Sequence, residues 1–322
     1  MKKIVLLLSF ILIFSCEYKI KNYLPLGNEF EEIWEKVGNI EGETNSIKKS
    51  NLRKGIFYIS TDYGIYQIKN NSIHILNENE ALKITCSFHY PEKIMFNENG
   101  VDSFIYILNT DENELRKIKL PFKPYDFSFS PSDSLTFYFV TENTLLKSYN
   151  FEEYDTLFIF PPPYKNFFIT KSGKTFIITD YEVFFSPYEG SPFYRVFYCD
   201  SPLSNVTIDE EENLYLAWRK TFLKTKDFNF WEKIIFPFDG NYIRSFTGIK
   251  KGIICAIFKE KRVKVYKFEE NKFIEFSYGL EYYESLSGII SEANSDEYLL
   301  GISRNSNGWT LLFYFKDTEF PP

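Results

Sequence analysis

The chain has 322 residues, a formal net charge of −7, and one aromatic residue in five, with 35 Phe and 24 Tyr against two Met. That length suits one large domain or two ordinary ones, and an acidic balance with no basic stripe argues against nucleic acid as a partner. Two histidines, His74 and His89, exclude a His-rich metal site, the four cysteines show no Cys-x-x-Cys spacing, and the Phe, Tyr and Ile content favours pleated, half-buried strands.

Lys2 and Lys3 form a short positive segment ahead of the apolar run Ile4 to Phe14, which only Ser9 interrupts. This is the layout of an export signal, and it falls short of the about 20 apolar residues that a spanning helix needs. Ile13-Phe14-Ser15-Cys16 comes next and resembles the bacterial lipobox: an aliphatic residue three before the cysteine, a small residue just before it, then the acylated cysteine. The resemblance implies a signal peptide over 1–15, lipidation at Cys16 and a mature protein held on a membrane surface. Several acyl chains hold firmly, since each buried CH₂ contributes about 0.8 kcal/mol. Glu17 stands where an aspartate would favour inner-membrane retention, so the outer membrane of a two-membrane cell is the expected location.

Residues 16–44 are predicted to be a tether with a short helix. Asn28 can cap a helix through Val37, in which Phe30, Ile33, Trp34 and Val37 share one face and Gly38 supplies the stop. The helix is expected to dock on its own domain, because Trp34 needs cover.

From residue 45 to 322 the chain repeats itself weakly. Short apolar runs recur at Ile56 to Ile59, Phe104 to Leu108, Leu135 to Val140, Thr175 to Ile178, Leu214 to Trp218, Ile253 to Phe258 and Tyr298 to Ile302, at a spacing of about 40 residues. Each tends to follow an alternating segment that ends in a polar turn, such as Tyr125 to Ser132, Asn166 to Gly173 and Asn205 to Glu210. Each precedes two more strands joined by a charged turn. Four short strands per repeat is the signature of a propeller blade. Residues 55–68, with the turn Thr61-Asp62-Tyr63-Gly64, resemble the repeats of BNR-like and sensor-type propellers. The expectation is an all-β fold, a β-propeller of seven four-stranded blades. The last repeat runs out before a fourth strand, so part of residues 18 to 50 is expected to complete it.

Little in this chain predicts catalysis. Sialidase-type Ser-x-Asp-x-Gly-x-x-Trp boxes are missing, as are the Ala-x-Asp-x-x-Thr-Gly turns of quinone-binding propellers and their lipoprotein relatives. Carboxylates cluster at Asp209 to Glu212, at Asp111, Glu112 and Glu114, and at Glu269 and Glu270, where the strand pattern puts solvated turns. Cys86, Cys199 and Cys255 permit at most one disulfide, and Cys255 lies in an apolar run that reads as a buried thiol. Phe160 to Tyr164, with three prolines, is expected to connect two blades, and Asn305 to Trp309 is a second distinctive surface candidate. The reading is a membrane-anchored, non-catalytic binding or scaffold propeller of the cell envelope with a protein or glycan partner and neither cofactor nor metal. The alternatives are a carbohydrate-active hydrolase or lyase with acidic residues at the channel mouth, and an extracytoplasmic sensor.

Overall fold

The computed structural model describes residues 18–22, 25–26, 34–98, 103–218, 221–236, 243–250, 252–259, 262–275, 277, 280, 288–294, 297–304 and 309–316. Three strands come first: β1 (Tyr18–Asn22), β2 (Pro25–Leu26) and β3 (Glu35–Glu41). The first blade is β4 (Thr44–Lys49), β5 (Ile56–Thr61), β6 (Ile65–Lys69) and β7 (Ser72–Asn77); the second is β8 (Lys83–Cys86), β9 (Lys93–Asn97), β10 (Phe104–Asn109) and β11 (Glu114–Lys119). The third is β12 (Asp126–Phe129), β13 (Phe137–Val140), β14 (Thr144–Ser148) and β15 (Asp155–Ile159), and the fourth is β16 (Tyr164–Ile169), β17 (Thr175–Thr179), β18 (Glu182–Ser186) and β19 (Tyr194–Tyr198). Then come the fifth, β20 (Asn205–Ile208), β21 (Leu214–Trp218), β22 (Thr221–Thr225) and β23 (Trp231–Ile235), and the sixth, β24 (Ile243–Ile249), β25 (Gly252–Lys259), β26 (Arg262–Glu269) and β27 (Lys272–Glu275). The chain ends with β28 (Gly288–Asn294), β29 (Glu297–Arg304) and β30 (Trp309–Lys316).

These strands assort into seven sheets. Within each blade neighbours in sequence pair antiparallel. The N-terminal strands do something else. β3 pairs antiparallel with β30 and supplies the fourth strand of the last blade, with Asn39 opposite Leu311 and Glu41 opposite Trp309. β1 and β2 lie parallel to β23 and β27, as fifth strands on the rims of the fifth and sixth blades. The first strands of the blades surround an axis, and β28 packs against both β24 and β4, which closes the ring. The architecture is a β-propeller.

Period-two alternation explains why the second strands read as continuous apolar runs. All six residues of β5 are buried. Ile56 and Tyr58 pack toward Ile84, Ile94 and Phe96 of the second blade, whereas Phe57 and Ile59 pack toward Leu299 and Leu312 of the last. Each sheet is thus covered on both faces by its neighbours, and a fully buried aromatic or branched side chain contributes about 1.5–3 kcal/mol. A single blade has no such cover.

The turns repeat with the same economy. At the end of the first strand a short side chain accepts a hydrogen bond from a backbone N–H of the turn: Ser50 from Arg53 (3.1 Å), Ser87 from Tyr90 (3.0 Å), Ser130 from Ser132 (3.0 Å), Thr170 from Lys174 (3.2 Å) and Asp209 from Asn213 (2.8 Å). These side chains replace the ladder bonds that the turn lacks. Thr61 Oγ1 likewise accepts from Tyr63 and Gly64, and Thr179 Oγ1 accepts from Tyr181 and Glu182. The threonine cap of the first blade's Thr-Asp-Tyr-Gly turn thus has a counterpart in the fourth blade's Thr179-Asp180-Tyr181-Glu182.

Three expectations are corrected. No helix runs through Val37, since Glu35–Glu41 is strand β3 and Gly38 sits at a bulge in it; Asn28 to Ile33 lie outside the described residues. The open edge of β30 offers this segment a whole ladder of backbone hydrogen bonds, which outweighs the local helical periodicity. Trp34 is nonetheless covered, at 2% exposure. In the second blade the strand equivalent to β5 is β9, and the run Phe104 to Leu108 is the third strand; its greater apolar length masked the true phase. Asp209 is buried at 4% exposure rather than solvated, because it caps its turn from inside. Cys86, Cys199 and Cys255 are buried thiols outside any disulfide, and burial pushes that of Cys255 well above its ordinary pKa.

An ion pair also ties the third blade to the fourth. Glu189, in the turn after β18, accepts hydrogen bonds from Ser132 and Tyr138 of the third blade and pairs with Lys147 Nζ at 3.1 Å. Burial alone would raise this carboxyl, but those three donors outweigh it and hold Glu189 below the usual glutamate value. A depressed carboxylate contributes stability that is present above its unfolded pKa and is lost as pH falls through the folded one. Melting curves from pH 7 down to pH 3 should therefore show the native protein losing more stability than Glu189→Gln, and parallel losses would refute the assignment.

Candidate functional site

Turns from first to second and from third to fourth strands form one face of the ring, the turn face. Second-to-third turns and the blade-to-blade connections form the other, the connector face. Between them runs a central cavity of about 700 Å³, lined by residues from β4, β8, β12, β16, β20 and β24 and the loops after them.

At the connector face three blades meet through side chains at the starts of their first strands. Lys83 Nζ donates to Asp126 Oδ2 at 3.3 Å, and the Tyr164 hydroxyl donates to the same oxygen at 2.6 Å. Burial, reinforced by Asp126, drives the Tyr164 phenol well above its ordinary pKa, so it stays a donor. Asn166 and Asn205 occupy the corresponding places in the next two blades, and each of Asp126, Asn166 and Asn205 accepts a hydrogen bond from the N–H of the next residue. The signal for this constellation was present in sequence. Lys83-Ile84, Asp126-Phe127, Asn166-Phe167 and Asn205-Val206 repeat a polar-then-apolar pair at about 40-residue spacing.

Toward the turn face the lining holds Lys48, Lys49, Arg53, Lys54 and Lys171 with Asp209, Glu210 and Glu212. Lys49 Nζ reaches across from the first blade to Glu210 of the fifth at 3.5 Å. Glu212 pairs with Lys174 at 2.5 Å and accepts from Ser172. Burial opposes ionisation of Glu212, yet these partners hold it below the ordinary value. Asp209 runs the other way. Burial raises its pKa, although it accepts from Asn213 and from Tyr215 at 3.0 Å. A buried carboxyl with a raised pKa in a cavity is the usual mark of an acid catalyst. Here its place in the blade is filled elsewhere by Ser50, Ser87, Ser130 and Thr170, so its role is to cap a turn.

The sequence candidates are scattered. Asp111, exposed on a turn, holds Arg53 through two hydrogen bonds at 2.9 and 3.2 Å, and Glu112 accepts from Asn109. Glu270 lies in the turn between β26 and β27. Pro161 to Pro163 connect the third and fourth blades, as expected. His74 is exposed on β7, and His89 makes a 3.2 Å contact with the Ser130 carbonyl; neither lines the cavity. Among the described residues no group of three or more His, Cys, Asp or Glu is placed to hold a metal. Cys16 and Asn305 to Gly308 lie outside the described residues.

No family model matches this chain, and no curated protein matches it in sequence. Solved structures do. The β-propeller domain of Cps50 (Swd1) from Myceliophteria thermophila superposes with a TM-score of 0.64 at 9% identity, covering 89% of this chain and 100% of that one. A catalytically inactive variant of virginiamycin B lyase from Staphylococcus aureus, solved with quinupristin, gives 0.65 at 13% identity over 88% and 99%. The extracellular domain of BT4673 from B. thetaiotaomicron gives 0.62 at 10% identity, covering 87% of this chain and 40% of that one. At these identities the likeness establishes the fold, an all-β propeller of four-stranded blades.

Proposed function

We propose that this protein is an exported, lipid-anchored propeller of the cell envelope that holds a protein or glycan partner at its connector face and performs no chemistry itself. The observation that carries the non-catalytic half is the state of the cavity's described carboxylates. Asp126, Glu210 and Glu212 are each tied to a lysine, and Asp209 is spent on a turn. Acid–base hydrolysis needs a carboxyl pair free to exchange protons across a substrate. The quinupristin-bound lyase is inactive with one histidine changed to alanine, whereas neither histidine of this chain lines the cavity. The sensor reading shares the exported placement with the BT4673 domain and differs only in the step after binding.

Export and anchoring rest on Lys2-Lys3, the apolar run and Ile13-Phe14-Ser15-Cys16. Cys16→Ala should leave the melting temperature unchanged and move the protein from the membrane to the soluble fraction. Retention in the membrane fraction would overturn the anchor. Crosslinking in native membranes should then capture one reproducible partner with the native protein and markedly less of it with Asp126→Ala. Equal capture would remove the connector-face mouth from the binding surface.

A further inference from the structure

The anchor and the fold together determine which way the propeller faces. This inference rests on the lipid at Cys16 proposed above. β1 begins at Tyr18, two residues beyond the cysteine, so whatever holds Cys16 lies within about 7 Å of the first paired residue. Tyr18 pairs with Trp231, and the pairing is parallel. Trp231 is the first residue after the third-to-fourth turn of the fifth blade, and β23 runs from there toward the connector face. Tyr18 therefore sits at the turn-face end of the rim. A leash this short cannot carry the bilayer round to the opposite face.

The side chains of the turn face agree. Leu52, Leu135 and Phe230 are exposed there at 44%, 69% and 46%, each in a turn and each with an all-carbon side chain. Exposed Tyr90, Tyr149 and Tyr188 stand on the same face, and tyrosine suits the level of the headgroups. In the connector-face loops the exposed large hydrophobic residues, among those described, are Tyr63, Tyr125 and Tyr181, all three with a hydroxyl, while Ile159, 66% exposed, closes β15 at the outer rim on that side. Solitary exposed apolar side chains are ordinary, but Leu52, Leu135 and Phe230 lie where the anchor brings lipid. The face bears acidic residues, Asp111, Glu112, Glu152 and Glu153, together with the basic Arg53, Lys54 and Lys171, so its charge is mixed and the apolar side chains carry the contact.

We propose that the turn face rests on the membrane surface, with Leu52, Leu135 and Phe230 at the lipid interface, and that the connector face with its Lys83–Asp126–Tyr164 mouth is presented away from it. The test uses the lipidated full chain on phosphatidylcholine vesicles. Leu135→Cys and Tyr63→Cys are each labelled with a maleimide fluorophore; Cys86, Cys199 and Cys255 are buried and stay silent. Quenching by aqueous iodide is compared between the vesicle-bound form and the Cys16→Ala form of the same variant. The label at 135 should lose quenching several-fold on the vesicle while that at 63 is unchanged. Shielding at 63, or equal exposure of both labels on protein that floats with the vesicles, overturns the orientation and leaves the anchor intact. Protein that does not float overturns both.

Discussion

Gly248→Ala should be among the most damaging single-methyl additions in this protein. A Cβ at Gly248 would stand 1.9 Å from the Ile208 carbonyl oxygen and 2.7 Å from the Asp209 Cα, both backbone atoms of the neighbouring blade. The close approach is held by the Gly248 N–H, which donates to Thr207 Oγ1 at 3.0 Å, and by the Glu210 N–H, which donates to the Ile249 carbonyl. No rotamer relieves a clash with backbone, so β24 and β20 must separate, breaking both bonds and opening the core between Tyr215 and Ile253. Overpacking of this kind costs about 3 kcal/mol or more when nothing flexible can yield. Gly190→Ala is the control. Nothing lies within 4 Å of its Cβ, and only its φ of 84° opposes the change, at about 1 kcal/mol. Urea unfolding of the two variants should separate them clearly, and equal midpoints would mean the inter-blade approach is looser than described.

Loss of the N-terminal segment should be comparably damaging. A chain beginning at Glu43 lacks β3, and with it the fourth strand of the last blade. The edge of β30 would then be unpaired, and the cluster of Leu299, Leu312, Ile47 and Phe57 would lose Ile40 and Val37. An open apolar edge templates association with other chains. The truncated protein is expected to aggregate or to lose cooperative unfolding, whereas removal of residues 1–16 should leave folding intact. Trp34→Ala makes the same point without truncation, since emptying a side chain that is 2% exposed costs about 3–5 kcal/mol. Cooperative, native-like unfolding of the chain that starts at Glu43 would show that β3 is an accessory strand.

Much of this architecture was legible in the order of residues. The alternation in Phe127 to Phe129, Phe167 to Ile169 and Val206 to Ile208, the apolar run after each, and the Ser, Thr or Asp between them are local signals, because a strand's period and a turn's cap are decided within a few residues. The need for a strand from the N-terminal segment also came from counting, since the last repeat ends one strand short. Two things escaped local reasoning. Trp34 and Val37 sit at helical spacing with Phe30 and Ile33, and nothing within that segment reveals that β30, some 270 residues on, has an unpaired edge. The Asp126 carboxylate likewise gives no hint that Lys83 and Tyr164 will meet it, since those residues belong to other blades.

The β class, the repeat of about 40 residues and the chemistry of each turn were therefore written into the chain's local order, because each depends on neighbours a few residues away. Folding in three dimensions settled the remainder: how the ring closes on β3, which carboxylates the lysines engage, and at which face the chain emerges from β1. Those depend on contacts between segments far apart in sequence, whose geometry exists only once the blades stand side by side.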